Sequence, residues 1–446
     1  MKQILIVLLV LVLVGGVSIG TQTAGEVEKP LLSIGVVSDH QLSNTTGENM
    51  DTTIKAFNYF RSHGADVVIS AGDIADANAN TVYSYFTQKY SEILGDVPLI
   101  AIPGNHDIIA DGDLSAFRNY FGDPNKHVVI GGYHFITISS NTELGGVCNG
   151  NYGDAEIEFA RTELAAASAA TPEGQPIFLI THQHISNTVY GSDASSNWAS
   201  DFLHGIVEDY ENVVHLSGHS HFVLEDERSI WQGDFTAIGT SSMSYTELEY
   251  GKANGSVPPN AGDAKQFLFI QIFKNRIEIQ RVKCSTLKQI KDKWVLDLPL
   301  EKSTFKYTDA RAESRTAPYF EAGATANMQL VGNNLTVTFD AAKHDDFVQS
   351  YQFKLFKDGE SEPIRNVLIF SDFYRGLENM QSTVSWTFEG VGADYQSYQV
   401  EIVPIESFGK RGDALACQLV FGTSAQVNSP PLSSFVFKTR FRKAFC

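Results

Sequence analysis

The sequence predicts an α/β domain followed by an all-β module. Three observations carry that expectation. Residues 31–284 alternate Val- and Ile-rich apolar runs with segments of helical periodicity. From about residue 319, apolar and polar residues alternate at period two, broken by Gly, Asp and Asn. The length of 446 residues gives room for two or three domains, and 43% hydrophobic with 19% charged residues is an ordinary globular composition.

The first 25 residues read as a secretory signal peptide rather than structure. Lys2 is a short positive region, "ILIVLLVLVLV" (4–14) an apolar core, and "GGVSIG" a run of small residues suited to cleavage. The apolar run falls short of the ~20 residues a membrane span requires, so no transmembrane anchor is expected after cleavage. The expected location is secreted or otherwise extracytoplasmic. Three N-glycosylation sequons fit that address, at Asn44, Asn254 and Asn334. Cys148, Cys284, Cys417 and Cys446 are too scattered for a disulfide scaffold or a zinc cluster, though they leave room for one or two disulfides.

Six apolar runs then read as strands: 31–37, 65–70, 97–102, 133–139, 176–180 and 212–217. Ile54, Phe57 and Phe60 between the first two, and Val82, Tyr85, Phe86, Tyr90 and Ile93 between the next, fall at helical spacing. "DAEIEFARTELAAASAA" (154–170) is rich in strong helix formers. Residues 285–318 read as a connector with one short strand, and 319–425 as a sandwich-sized β-module resembling fibronectin-III or immunoglobulin-like domains. Residues 426–446 read as a tail that is locally basic. The net charge of −19 argues against nucleic-acid binding, which rewards clustered Lys and Arg. A protein partner for the β-module is unknown from the sequence.

Polar residues follow five of the strands: "SDHQ" (38–41), "GDIAD" (72–76), "GNHD" (104–107), "THQH" (181–184) and "GHSH" (218–221). Open α/β sheets bind ligands at the carboxyl ends of their strands, where these Asp, Asn and His residues fall. The ordered set resembles the calcineurin-like metallophosphoesterase superfamily over about residues 31–284. The resemblance implies a layered α-β-β-α fold, a central β-sandwich flanked by helices, with a two-metal site that hydrolyses phosphate esters.

Carried over residue by residue, Asp73 matches the carboxylate that bridges the two metals. Asn105, His182 and His219 match the other ligands of one metal, and Asp39 and His221 match ligands of the other. His219 and His221, two apart, would point the same way on an extended segment. The family pattern Asp-x-His at the first motif is departed from, since Gln41 stands at the second ligand position. Alternation along a strand puts Asp39 and Gln41 on one face and turns His40 away. A neutral amide oxygen in place of imidazole tilts the choice among Mn²⁺, Fe and Zn²⁺ toward Mn²⁺.

The resemblance further implies that His106 is the general acid and Asp76 the residue that orients it, with attack by a hydroxide bridging the two metals. Asp107 is expected to fix the loop, and His184 to reach either substrate or solvent. His63, His127, His134, His204, His215 and His344 lie outside the motifs, with a surface or satisfied-core role expected. The expected function is hydrolysis of phosphate mono- or diesters. The alternative is an adhesive or binding protein with a degenerate metal centre, acting through the β-module.

Overall fold

The computed structural model describes residues 28–141, 150–193, 199–392 and 395–421. The expected signal peptide, the 426–446 tail, Cys148 and Cys446 lie outside the described residues. Among the described residues no helix is long and apolar enough to cross a membrane. Cys284 and Cys417 are both unpaired thiols.

The elements run in order as β1 (Leu32–Val37), α1 (Glu48–Ser62), β2 (Val67–Ala71), α2 (Ala79–Leu94), β3 (Leu99–Ile102), α3 (Asn105–Asp111), α4 (Ser115–Phe121), β4 (Lys126–Ile130), β5 (Tyr133–Thr137) and α5 (Asp154–Ala170). Then come β6 (Ile177–Ile180), β7 (His184–Ile185), β8 (Ala199–Ser200), α6 (His204–Val207), β9 (Val213–Ser217), β10 (Ile230–Gln232), β11 (Thr236–Gly239), β12 (Gln266–Ile272) and β13 (Arg276–Lys283). One seven-stranded sheet has the order β14-β13-β12-β1-β2-β3, with β15 also on β13; here β14 is Lys288–Gln289 and β15 is Trp294–Asp297. A six-stranded sheet has the order β10-β11-β9-β6-β5-β4.

The two sheets face each other across an apolar layer. Ile34, Val36, Ile69 and Ile100 of the first meet Phe135, Phe178, Ile180 and Val214 of the second, all at 2% exposure or less. Each such fully buried side chain contributes about 1.5–3 kcal/mol. The outer faces are covered by helices. Phe57 and Phe60 of α1 with Val82, Tyr83 and Phe86 of α2 lie on the first sheet, and Ala160, Leu164 and Ala167 of α5 on the second. Strand β1 is buried along its whole length because alternate residues feed opposite layers, Val36 the inner and Val37 the outer. This is the layered α-β-β-α arrangement.

The sheet does not stop at residue 284. Residues 288–289 and 294–297 add β14 and β15 to β13, so the expected connector supplies two strands to the first sheet rather than one short isolated strand. Trp294 and Leu296 alternate inward and are buried there, which is the physical reason. The β-module is a sandwich of a three-stranded sheet, β16-β17-β20, and a four-stranded sheet, β19-β18-β21-β22. These strands are β16 (Ala326–Val331), β17 (Asn334–Asp340), β18 (Val348–Lys357), β19 (Arg365–Phe370), β20 (Thr383–Phe388), β21 (Ser397–Glu406) and β22 (Leu415–Val420). Leu335, Val337, Phe353, Tyr398 and Val400 fill the space between the sheets.

Candidate metal centre

In the first sheet β1, β2 and β3 run parallel, as do β5, β6, β9 and β11 in the second. Their carboxyl ends therefore share one rim of the sandwich. Asp39 follows β1, Asp73 follows β2, Asn105 and His106 follow β3, His182 follows β6, and His219 and His221 follow β9. The chain turns sharply there. Asp39, Gln41, Asp73, His219 and His221 all have φ between 46° and 67°, left-handed conformations that cost energy outside Gly. The expectation that Asp39/Gln41 and His219/His221 share a face through strand alternation is thus corrected. β1 ends at Val37 and β9 at Ser217, and left-handed turns, not extended backbone, aim these side chains.

Two three-residue groups have ligand atoms close enough to hold one cation each: Asp73 with His182 and His219, and Asp39 with Asp73 and His221. Asp73 belongs to both. Its Oδ2 lies 3.2 Å from His182 Nε2, and its Oδ1 accepts from the His106 backbone N–H at 2.8 Å. Asp39 Oδ1 is 3.1 Å from His221 Nε2, and its carboxylate accepts from the His219 N–H. Asn105 Oδ1 faces His182 Nε2 at 3.0 Å.

The imidazoles are held by their far nitrogens. His182 Nδ1 donates to the Ala71 carbonyl at 2.8 Å and His221 Nδ1 to the Tyr245 carbonyl at 3.0 Å, which leaves each Nε2 for the centre. His182 Nε2 then faces oxygen atoms of Asn105, Asp73 and, at 3.9 Å, Asp39. A nitrogen lone pair among oxygen acceptors needs a cation between them. Without one, burial opposes charge on His182, but Asp73 and Asp39 outweigh it and push the pKa up to about 9. Burial likewise opposes ionisation of Asp73, and His182 and His106 overcome it, holding the carboxyl well below the usual range. Among the described residues the buried Asp73 Oδ2 has no hydrogen-bond donor, as suits an oxygen available to a metal. The donor set of buried carboxylates, imidazoles and an amide therefore fits two divalent cations.

Close approach at the centre explains one glycine. A Cβ on Gly104 would lie 2.1 Å from Asp73 Oδ1 and 2.6 Å from His182 Nε2. His106, one residue past Asn105, is 26% exposed and takes a hydrogen bond between its Nδ1 and Asp76 Oδ1 at 2.8 Å. Burial lowers its pKa, but Asp76 and the Asp73 charge outweigh that and push it up to about 9. Ser43 also donates to Asp76, at 3.0 Å.

His40 points away from the centre. It is buried against Phe86, with Nδ1 2.8 Å from Thr53 Oγ1, and burial takes its pKa to about 4. Gln41 points in: its amide nitrogen donates to His221 Nε2 at 3.3 Å and its oxygen accepts from Ser244 Oγ at 3.2 Å. Asp107 accepts from the backbone N–H groups of Ile74, Ala75 and Gly104, so it stitches the "GDIAD" loop to the "GNHD" turn. His184 does not reach solvent. It is buried between Ser217 Oγ and Ser220 Oγ, both at 2.7 Å, and braces the turn that carries His219 and His221. His215 is buried and bonded to Thr181. Asn44 and Asn334 are exposed, whereas Asn254 has its amide engaged on both sides by the Phe370 backbone.

Sequence reasoning did not find the segment Ser242–Tyr245, whose hydroxyls and carbonyl hold Asp39, Gln41 and His221. The signal was a seventh strand end. "FTAIGT" reads too short to count, yet β11 ends at Gly239 and the segment follows it on the same rim. A third cluster, His204, Glu208 and Asp234, lies elsewhere on the surface, with Asp234 spent on Lys302 at 2.8 Å.

Residues 32–223 match the family model described as calcineurin-like phosphoesterase. The chain is 25% identical over 192 residues to a probable glycerophosphodiester phosphodiesterase, GpdQ, from Arcobacter nitrofigilis, across 42% of this chain and 67% of that protein. Among solved structures it is similar to purple acid phosphatase PPD1 from yellow lupin, Lupinus luteus, with TM-score 0.43 and 14% identity over 59% of this chain and 53% of that one. It is also similar to GAP50, the anchor in the inner membrane complex of Plasmodium, with TM-score 0.42 and 14% identity over 62% and 91%. With the motifs, the layered fold and the family match in agreement, residues 32–223 belong to the calcineurin-like phosphoesterases.

Proposed function

We propose that this phosphoesterase is a dinuclear metal-dependent hydrolase of phosphate esters, with His106 as general acid. The observation that carries the reading is the pair of ligand groups sharing Asp73. Two divalent ions held there would lower the pKa of a water between them and neutralise phosphoryl oxygens. The chain's own residues do the rest. Asp73, whose Oδ1 accepts from the His106 N–H, holds its carboxylate in place relative to the acid. Asp76 holds Nδ1 of His106, so Nε2 is the nitrogen that presents a proton to the leaving oxygen. Asp76, bonded to its Nδ1, favours the protonated ring, which suits His106 to the role of acid.

Mn²⁺ is the first metal to supply, because the amide of Gln41 stands where imidazole is usual; Fe and Zn²⁺ come next. A phosphodiester is the first substrate to try, in view of the GpdQ similarity. The apolar segment 4–14 supports a secreted protein, with Asn44 and Asn334 as the exposed glycosylation candidates.

The test is hydrolysis of bis-p-nitrophenyl phosphate and p-nitrophenyl phosphate by the secreted protein with Mn²⁺, beside Asp73→Asn. Turnover that disappears in the variant supports the reading, and the ratio of the two rates assigns diester or monoester preference. Undiminished turnover in Asp73→Asn would overturn it.

A further inference from the structure

We propose that the β-module is a positioning element of the metal centre: it templates segment 245–264, which in turn fixes His221. This rests on the metal reading above and adds to it a dependence on residues far along the chain.

His221 is gripped from one side of the sheet rim. Its Nδ1 donates to the Tyr245 carbonyl at 3.0 Å, its own carbonyl accepts from Thr246 Oγ1 at 3.0 Å, and the Tyr245 ring lies 4.6 Å from the imidazole. Segment 245–264 has almost no regular structure, only the short 3₁₀ turn Ala261–Asp263. A loop of that length is ordered by what it packs against. Here the partner is the β-module. The Ala253 N–H donates to the Leu368 carbonyl at 2.7 Å, and the Asn254 side chain exchanges two hydrogen bonds with the Phe370 backbone, extending the edge of β19. Tyr374 donates to the Pro259 carbonyl at 2.8 Å, Arg375 pairs with Asp263, and Gln349 donates to Glu249 at 2.8 Å.

Beneath these polar ties lies one shared core. Tyr190, Phe222, Val223, Leu248 and Ala264 of the phosphoesterase side cluster with Phe347, Phe370, Phe373 and Tyr374 of the module. Phe222 follows His221 directly and is 3% exposed; Phe373, stacked on Phe347 at 4.8 Å, is fully buried. The ligand His221 is therefore held between Phe222, which packs in the shared core, and Tyr245, whose segment reaches the module through Leu248, Ala253 and Asn254. His182, a ligand of the other group, is tied instead to β2 through the Ala71 carbonyl. The coupling therefore falls on the cation position that includes His221.

The experiment measures Mn²⁺ bound per full-length chain, by dialysis and elemental analysis over a range of free Mn²⁺. Wild type is expected to take two ions. Phe373→Ala should keep one and need about 10- to 100-fold more Mn²⁺ for the second, the range seen when residues orienting a metal ligand are lost. Phe373→Leu should restore the wild-type curve. Gln349→Ala and Tyr374→Phe, milder changes at the same seam, should shift the same step by less, and they decide the matter if Phe373→Ala does not fold. Val337→Ala, within the module's own core away from the seam, should bind both ions normally. Both ions at wild-type affinity in the seam variants, or equal losses in Val337→Ala, would overturn the proposal. No metal in the wild type would instead overturn the metal reading on which it rests.

Discussion

His182 donates its Nδ1 proton to the carbonyl oxygen of Ala71 at 2.8 Å, so a side chain that follows β6 in one sheet is tied to the end of β2 in the other. Asp73 lies two residues beyond that carbonyl. The bond fixes the distance between the shared carboxylate and the imidazole it faces, and it crosses the sandwich at the rim. The geometry of the candidate metal centre is a property of how two sheets are held together.

Replacing Asp73 and replacing His106 should therefore fail in different ways. Asp73→Asn removes the charge of the one carboxylate common to both ligand groups and should lower bound metal and turnover together. His106→Asn leaves the ligand sets whole, and turnover should fall by about 10²–10⁴ with metal content unchanged. Metal analysis beside steady-state rates separates the two outcomes. A His106 variant that lost its metal would show that the ring is structural.

Much of this site was legible because strand-end chemistry is local. Six apolar runs marked β1, β2, β3, β5, β6 and β9, and the short polar motifs after five of them hold the residues that meet at the rim. What was not legible depends on conformation or on distant partners. Nothing in "SDHQ" or "GHSH" announces left-handed backbone at Asp39, Gln41, His219 and His221. His184 looks like a second substrate histidine until Ser217 and Ser220 are seen to enclose it. Strands β12 and β13, "QFLFIQI" and "RIEIQRVK", have strand-like composition, but only their pairing places them beside β1.

Gly104→Ala should empty the centre without unfolding the chain. Gly104 is extended, so its backbone tolerates Ala, but the new Cβ would fall 2.1 Å from Asp73 Oδ1 and 2.6 Å from His182 Nε2. Relief requires moving the shared carboxylate or the imidazole it faces. The expected result is loss of bound Mn²⁺ and of turnover with far-UV circular dichroism retained. Normal metal content in this variant would show that the rim can open.

Glu225 predicts a pH dependence of stability away from the centre. It is fully buried; Oε2 accepts from Gln266 at 2.5 Å, and Oε1 has no partner among the described residues. Burial pushes its pKa from 4.5 up to about 7, with Gln266, Lys283 and Arg281 counteracting. Folding therefore favours the protonated carboxyl. Its stabilising contribution is complete below the unfolded pKa and is lost as pH rises through about 7. Between about pH 5 and about pH 8, wild type should lose stability that Glu225→Gln retains, on the order of 2 kcal/mol. Thermal unfolding of both proteins at the two pH values checks this; parallel curves would exclude Glu225 as the source.

Gln41 is the remaining place where the ligand set can be tuned. Its amide nitrogen donates to His221 Nε2, the lone pair a cation would take, while Ser244 holds its oxygen. Coordination through Gln41 thus requires the amide to turn and the Ser244 bond to break, and both act against the metal at Asp39 and His221. Gln41→His would place an imidazole there, and His accepts the left-handed backbone better than most residues. The second Mn²⁺ should then bind on the order of tenfold more tightly, and Zn²⁺ should gain more than Mn²⁺ because imidazole suits it better. Titrating each metal into wild type and variant reads both effects. Equal affinities in the two proteins would mean that Gln41 contributes nothing to the centre, and that Asp39, Asp73 and His221 hold the second ion alone.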